Sequence, residues 1–146
     1  MKKADKAINY FRNKYNCSQA VFTVFGTDYG LPENECLKVA CAFGGGMGRQ
    51  QYTCGAIMGA LMALGLECGK GLNDSEEKKQ LTYSKTRELF AEFNKLHGTT
   101  NCRELLNGLD FNNCEDLKKI LEQRLFDIKC EKFVADSVII VEKIME

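Results

Sequence analysis

The chain has 146 residues, 45% hydrophobic and 27% charged, the composition of a folded domain able to bury its own core. Twenty Lys and Arg balance twenty Asp and Glu. No basic surplus is left to neutralise phosphates, so a nucleic-acid partner is not expected. The N-terminus sets Asp5 and Lys6 where a signal peptide needs apolar residues. The longest uncharged apolar run, Cys54 to Leu66, falls short of the ~20 residues that span a bilayer. These points predict a cytoplasmic protein without membrane insertion. In that reducing compartment the eight cysteines read as ligands, redox groups or buried apolar residues rather than permanent disulfides.

A single proline and little alternation argue against β structure. Residues 3–15 predict a first helix, with Ala4, Ala7, Tyr10 and Phe11 at helical spacing. Asn16 and Gln19 form a capping box for a second helix carrying Ala20, Val21, Val24 and Phe25. Gly30, Leu31 and Pro32 end it. A third helix, about 33–43, presents Cys36, Leu37, Ala40 and Cys41 on one side. The run Gly44-Gly45-Gly46-Met47-Gly48 is a flexible break that lets the backbone pass close to the next helix. That helix, Thr53 to Leu66, has little polar face and is expected to lie buried at the centre. Its Gly55, Gly59 and Ala63 lie four apart and leave a bare stripe for a neighbour.

After a loop over 67–74, residues 75–96 predict a long surface helix with Leu89, Phe93 and Leu96 inward. Asn101 and Glu104 suggest a second capping box around Cys102, in a short helix that Gly108 ends. The last helix, about 129–145, aligns Cys130, Val134, Val138, Val141 and Met145. No linker or repeat divides the chain. The expectation is an all-α, single-domain helical bundle over 1–146 with a buried central helix.

Four cysteines directly follow an Asn or Thr: Cys17, Cys54, Cys102 and Cys114. Asn and Thr favour the helix cap, which makes the next residue the first helical one. A thiol there meets unpaired N–H groups and the positive end of the helix dipole, so its thiolate is favoured. Cys54 ranks first for reactivity, because its Gly55 neighbour leaves the sulfur accessible. Cys36, Cys41 and Cys68 read as packing or incidental residues. Arg49 and Arg103 read as solvated, His97 as a partner for its helix dipole, and Met58 and Met62 as core. The glycine run lacks the Gly-Lys-Ser/Thr that a phosphate cradle requires.

Three stretches, Asn16-Cys17-Ser18-Gln19-Ala20-Val21, Phe43-Gly44-Gly45-Gly46-Met47-Gly48 and Cys54-Gly55-Ala56-Ile57-Met58-Gly59, resemble successive motifs of the C_GCAxxG_C_C family. Asn101-Cys102-Arg103-Glu104-Leu105-Leu106 and Cys130-Glu131-Lys132-Phe133-Val134 are similar to its last two cysteine motifs. The resemblance implies redox activity, and it selects Cys17, Cys54, Cys102 and Cys130, replacing Cys114 by Cys130. A similar domain is thought to hold an iron–sulfur centre in some cytochromes.

Two chemistries follow. In the first, the four cysteines carry thiol–disulfide electron transfer with a redox partner that the sequence does not name. In the second, the same four ligate an iron–sulfur cluster or, ranked lower, zinc. A non-catalytic accessory module is the bland alternative, and self-association is open. No two of the four lie in a C-x-x-C, so neither chemistry has its usual short motif.

Overall fold

The first helix, α1 (Lys3–Arg12), carries its whole apolar pattern but ends three residues before the expected residue 15. Lys14 turns left-handed, with φ 72°, and frees Asn16 to open the next element. The computed structural model describes residues 1–146. It is all-α, and its one β feature is an isolated antiparallel bridge between Thr53 and Asn101. In α2 (Cys17–Gly26) the capping box is complete. Asn16 Oδ1 accepts from the Gln19 N–H at 2.9 Å, and Gln19 Oε1 accepts from the Asn16 N–H at 2.9 Å. A turn ending at Gly30 (φ 86°) leads through Pro32 into α3 (Glu33–Ala40). Cys36 and Ala40 are buried as the pattern suggests, but Cys41 begins a 3₁₀ turn (Cys41–Phe43) and is exposed.

The glycine run is ordered by hydrogen bonds rather than a loose break. It makes a tight turn, α4 (Gly44–Met47), in which Gly45, Gly46, Met47, Gly48 and Arg49 all have positive φ. The Gln51 N–H bonds Gly45 O and the Tyr52 N–H bonds Gly46 O, both at 3.1 Å. Left-handed backbone costs roughly 1–2 kcal/mol for a residue with a Cβ, and three of the five positions are glycine. At Gly46 a Cβ would also lie 2.6 Å from Gln51 Cα. Close passage of this backbone to the following helix is as the sequence suggests.

That helix, α5 (Gly55–Cys68), is the buried centre of the bundle. It packs against α2, against α6 (Glu76–His97) and against α9 (Glu131–Ile144). Ala56, Ile57, Ala60, Ala63 and Leu64 join Val21, Phe25, Phe93, Val134 and Val138 in the main core. Leu89 and Phe93 point inward from α6, but Leu96 is 60% exposed, a correction to its predicted place. The next residue takes the inward position instead. His97 Nε2 lies 2.8 Å from Asp136 Oδ2, with its ring against Phe93 and Phe133.

Beyond the short α7 (Cys102–Leu105), only the Asn113 cap is legible before the last helix. It opens α8 (Cys114–Glu122), where Asn113 Oδ1 accepts from the N–H groups of Glu115 and Asp116. Ile120 is the one fully covered residue of α8 and joins Leu106, Phe111 and Leu125 in a satellite core. A π turn, Phe126–Cys130, then feeds α9. No helix is long and apolar enough to cross a membrane.

The glycines of α5 make a test of this packing. A Cβ at Gly59 would lie 2.7 Å from Ser18 O and 3.0 Å from Val21 Cβ, both on α2. At Gly65 the same atom would meet nothing within 4 Å. Gly59→Ala should therefore lose about 1–3 kcal/mol of stability, while Gly65→Ala should gain about 0.4–1 kcal/mol from reduced chain entropy. Thermal and urea unfolding of the two variants would check both signs.

Candidate functional site

Cys17 is the first residue of α2, and Cys102 the first of α7. Cys54 stands one place earlier than its Thr53 neighbour suggests: it is itself the cap of α5, with φ −50° and ψ 130°. The Thr53–Asn101 bridge explains the shift. Thr53 is held in extended backbone, with the Cys54 N–H on Thr100 O at 2.9 Å and the Cys102 N–H on Tyr52 O at 2.6 Å. The same bonds fasten the start of α5 to the start of α7. Asn101 Oδ1 accepts from the Glu104 N–H at 3.0 Å, but the Asn101 N–H goes to Thr99 Oγ1, so that capping box is half made.

Cys130 arrives at the junction of the π turn and α9. Next to it, Lys129 Nζ donates to Asn107 Oδ1 at 2.8 Å and tethers the junction to the end of α7. Cys17, Cys54, Cys102 and Cys130 all line one cavity of about 650 Å³. Phe11, Leu105, Leu106, Phe111, Phe126 and Phe133 supply most of its apolar wall. Lys14, Cys41, Gly48 and Arg49 are exposed and form its rim. Cys36, Cys68 and Cys114 stay outside, as expected. Cys36 packs with Phe22 and Ala40, Cys68 faces Thr82, and Cys114 is exposed at the start of α8. Cys41 on the rim is a residue that the pattern missed, since no cap or motif marks it.

Backbone proximity at this site depends on glycine. A Cβ on Gly55 would collide with Cys17 Sγ, lie 2.9 Å from Phe43 O and reach 3.2 Å from Gly44 Cα. At Gly44 it would strike the Asn16 side chain, whose Nδ2 donates to Cys41 O at 2.9 Å. The α2 cap, the glycine turn and the start of α5 are thus pressed together around one sulfur.

All eight cysteines are free thiols. The four in the cavity are pushed up from the ordinary thiol range, not down as their helix-terminal places suggest. For Cys17 burial is the main cause, opposed by the backbone N–H groups of Gly45, Ser18, Cys17 and Gly55. Cys54 is pushed well above its normal value by burial and the adjacent Cys17, with one N–H, from Ala56, opposing. It is also only 5% exposed, so the accessible sulfur predicted for it is not found. Burial and Cys17 push Cys102 up to about 12 against a hydrogen bond from Gln51. Cys130 is raised by burial, Cys17 and Cys102.

Cys54, Cys102 and Cys130 each sense Cys17 as a neighbouring charge. Their arrangement is a lined wall, and no group of three or more His, Cys, Asp or Glu side chains is placed to hold a single metal ion. Four thiolates could not coexist here without a compensating positive charge.

Comparison with known proteins agrees with the motif reading. An uncharacterized protein of Archaeoglobus fulgidus is 28% identical over 133 residues, covering 84% of this chain and 88% of that protein. No solved structure matches. Residues 15–144 match the family described as "Putative redox-active protein (C_GCAxxG_C_C)", a span that takes in all four cavity cysteines and the glycine turn. The chain belongs to the C_GCAxxG_C_C family.

Proposed function

We propose that this protein carries out thiol–disulfide redox chemistry, with Cys17 as the attacking sulfur and Cys54, Cys102 and Cys130 as the thiols that resolve it. One observation carries the reading. Four cysteines from four separate elements line one cavity, and the backbone N–H groups of Gly45, Ser18, Cys17 and Gly55 favour a thiolate at Cys17. A thiolate needs donors or positive charge, so the electron pair is best accommodated on that sulfur.

The reaction begins when the Cys17 thiolate bonds one sulfur of an external disulfide, RS–SR, and expels RS⁻. A second cavity thiol gives up its proton and displaces the remaining RS⁻ from the mixed disulfide. The protein ends with one Cys–Cys disulfide and the partner with two thiols, after transfer of two electrons. The apolar wall keeps bulk water from the mixed disulfide, and the left-handed glycine turn holds its N–H toward Cys17.

A second reading keeps the same residues. A cavity of about 650 Å³ is roomier than a disulfide requires, and positive charge would relieve the mutual repulsion of four thiolates. Cys17, Cys54, Cys102 and Cys130 would then hold an iron–sulfur cluster, which supplies one-electron transfer. A single zinc ion has no support from the geometry.

Protein purified without oxygen separates the two. The thiol–disulfide reading expects a colourless, metal-free preparation in which one or two thiol pairs oxidise reversibly in a glutathione buffer. Cys17→Ser should slow the first oxidation step by roughly tenfold or more, and more than any other single Cys→Ser change. Colour, iron and acid-labile sulfide that disappear in Cys54→Ser or Cys102→Ser would carry the cluster reading. Ordinary thiols with neither redox cycling nor metal would leave the cysteines as packing residues.

The raised thiols also make stability depend on pH. Below about 8.5, the unperturbed value, Cys102 is protonated in both folded and unfolded chains. Between there and about 12 the unfolded chain loses the proton while the fold retains it. Stability should therefore fall as pH rises through this window, by up to about 1.4 kcal/mol per pH unit for this one group. Unfolding measured between about pH 8.5 and 10 should show a shallower fall in Cys102→Ser than in the parent.

A further inference from the structure

Beside the cysteine cavity lies a second cleft of about 380 Å³ with no apolar lining residue. Gly48, Arg49, Gln51, Arg103, Asp110 and Asn112 form its walls. Arg49 lines both spaces. Neither Arg49 nor Arg103 is paired with a carboxylate anywhere in the structure.

Both guanidinium groups are nevertheless positioned. Arg49 leaves a left-handed residue (φ 63°), its backbone O accepts from Asn112 Nδ2 at 2.8 Å, and its guanidinium carbon stands 5.8 Å from the Phe111 ring centre. Arg103 Nε donates to Gly108 O at 3.0 Å, which leaves its two terminal nitrogens free to donate elsewhere. The single acid in the cleft is partly engaged: Asp110 Oδ1 accepts from the Asn112 N–H at 2.8 Å. Two cations against one anion leave the cleft positive.

The cleft is also wired to the thiols. Gln51 is 4% exposed. Its Nε2 donates to Leu109 O at 3.0 Å, its Oε1 accepts from the Phe111 N–H at 3.2 Å, and its side chain favours the Cys102 thiolate. Arg103 follows Cys102 directly in the chain. A carboxylate between the two arginines would therefore sit one side chain from the thiol wall.

We propose that this cleft binds the carboxylate end of the thiol–disulfide substrate, so that the substrate class is a small disulfide carrying negative charge. Planar guanidinium groups suit carboxylates through paired N–H donors, and two of them orient a two-headed anion better than a diffuse positive field does. The inference rests on the thiol–disulfide reading above and adds a specificity site to it. The electron balance is unchanged, because the anionic tail remains on each RSH released.

Three disulfides test it: glutathione disulfide, neutral bis(2-hydroxyethyl) disulfide and cationic cystamine, each mixed anaerobically with the reduced protein while free thiols are counted. Rates should fall in that order over a span of about tenfold, and added salt should compress the span. Arg103→Gln should shrink the ratio of the anionic to the neutral rate. Arg87→Gln, an exposed arginine on α6 outside both clefts, should keep the parental ratio and so exclude a general charge effect. Independently, unreactive S-methylglutathione should shift the side-chain Nε–H signals of Arg49 and Arg103 in NMR spectra.

If none of the three disulfides reacts, the thiol–disulfide reading falls, and the S-methylglutathione titration alone then decides whether the cleft takes carboxylates. Equal rates for all three disulfides with no shift of the arginine signals would overturn the cleft proposal and leave the thiol chemistry standing. A ratio untouched by Arg103→Gln would overturn it as well.

Discussion

Backbone contact between α2 and α5 is the constraint on which the rest of the structure depends. Gly59 admits Ser18 O and Val21 to the surface of α5, and four residues earlier Gly55 admits the sulfur of Cys17. Any side chain at either place would wedge the helices apart. Ser18 adds a polar lock by donating from its hydroxyl to Ala40 O at 2.6 Å. Because the contact runs to the very start of both helices, their unpaired N–H groups are brought to the same point. The site follows from that packing: a helix pair that met at mid-length would have buried the same apolar area without collecting donors around a thiol.

Those donors compete with burial, and burial prevails. A helix terminus favours a nearby charge by about 0.3–1 kcal/mol, up to ~2 in partly buried settings. Removing a charged group from water can shift its pKa by 3–5 units, several times as much energy. The helix-terminal cysteines therefore end with raised pKa values although their local geometry favours the thiolate. Cys17 has four N–H groups in opposition and Cys54 only one. The donors rank the thiols among themselves without reversing the effect of the cavity. A buried set of this kind holds its protons at neutral pH, which slows unselective oxidation.

Local signals carried the fold and the site unequally. The Asn16–Gln19 box, the glycine stripe of α5 and the valine stripe of α9 were legible, because each is a pattern within one helix read against a known period or cap. The caps mark Cys17 and Cys102 as helix starts but mark Cys114 equally, so which starts meet is not written in them, and Cys130 required the family resemblance, since nothing local distinguishes it from a core cysteine. The direction of the thiol shifts was not legible, because caps are written in the sequence whereas the depth of a cavity is a property of the assembled wall. The place of Leu96 failed for a related reason. Helical period puts it on the inward side, but the ring of His97 and its partner Asp136 close that end of α6 against α9.

Gln51 shows how much of a site can escape local reading altogether. It is a polar residue in left-handed backbone (φ 57°) just after the glycine turn, a place that a sequence marks as surface loop. Its burial follows from its bonds: both ends of its amide are spent on the backbone at Leu109 and Phe111, some sixty residues on. That tie fixes the segment leading to α8 against the one leading to α5, and Thr53–Asn101 fixes the same two stretches of chain a few residues away. Between the two ties lies Cys102, whose thiolate the Gln51 side chain favours. The segment between the glycine turn and α5 has almost no regular structure of its own. It is nonetheless the piece that registers the glycine turn, the cavity thiols and the satellite core against one another.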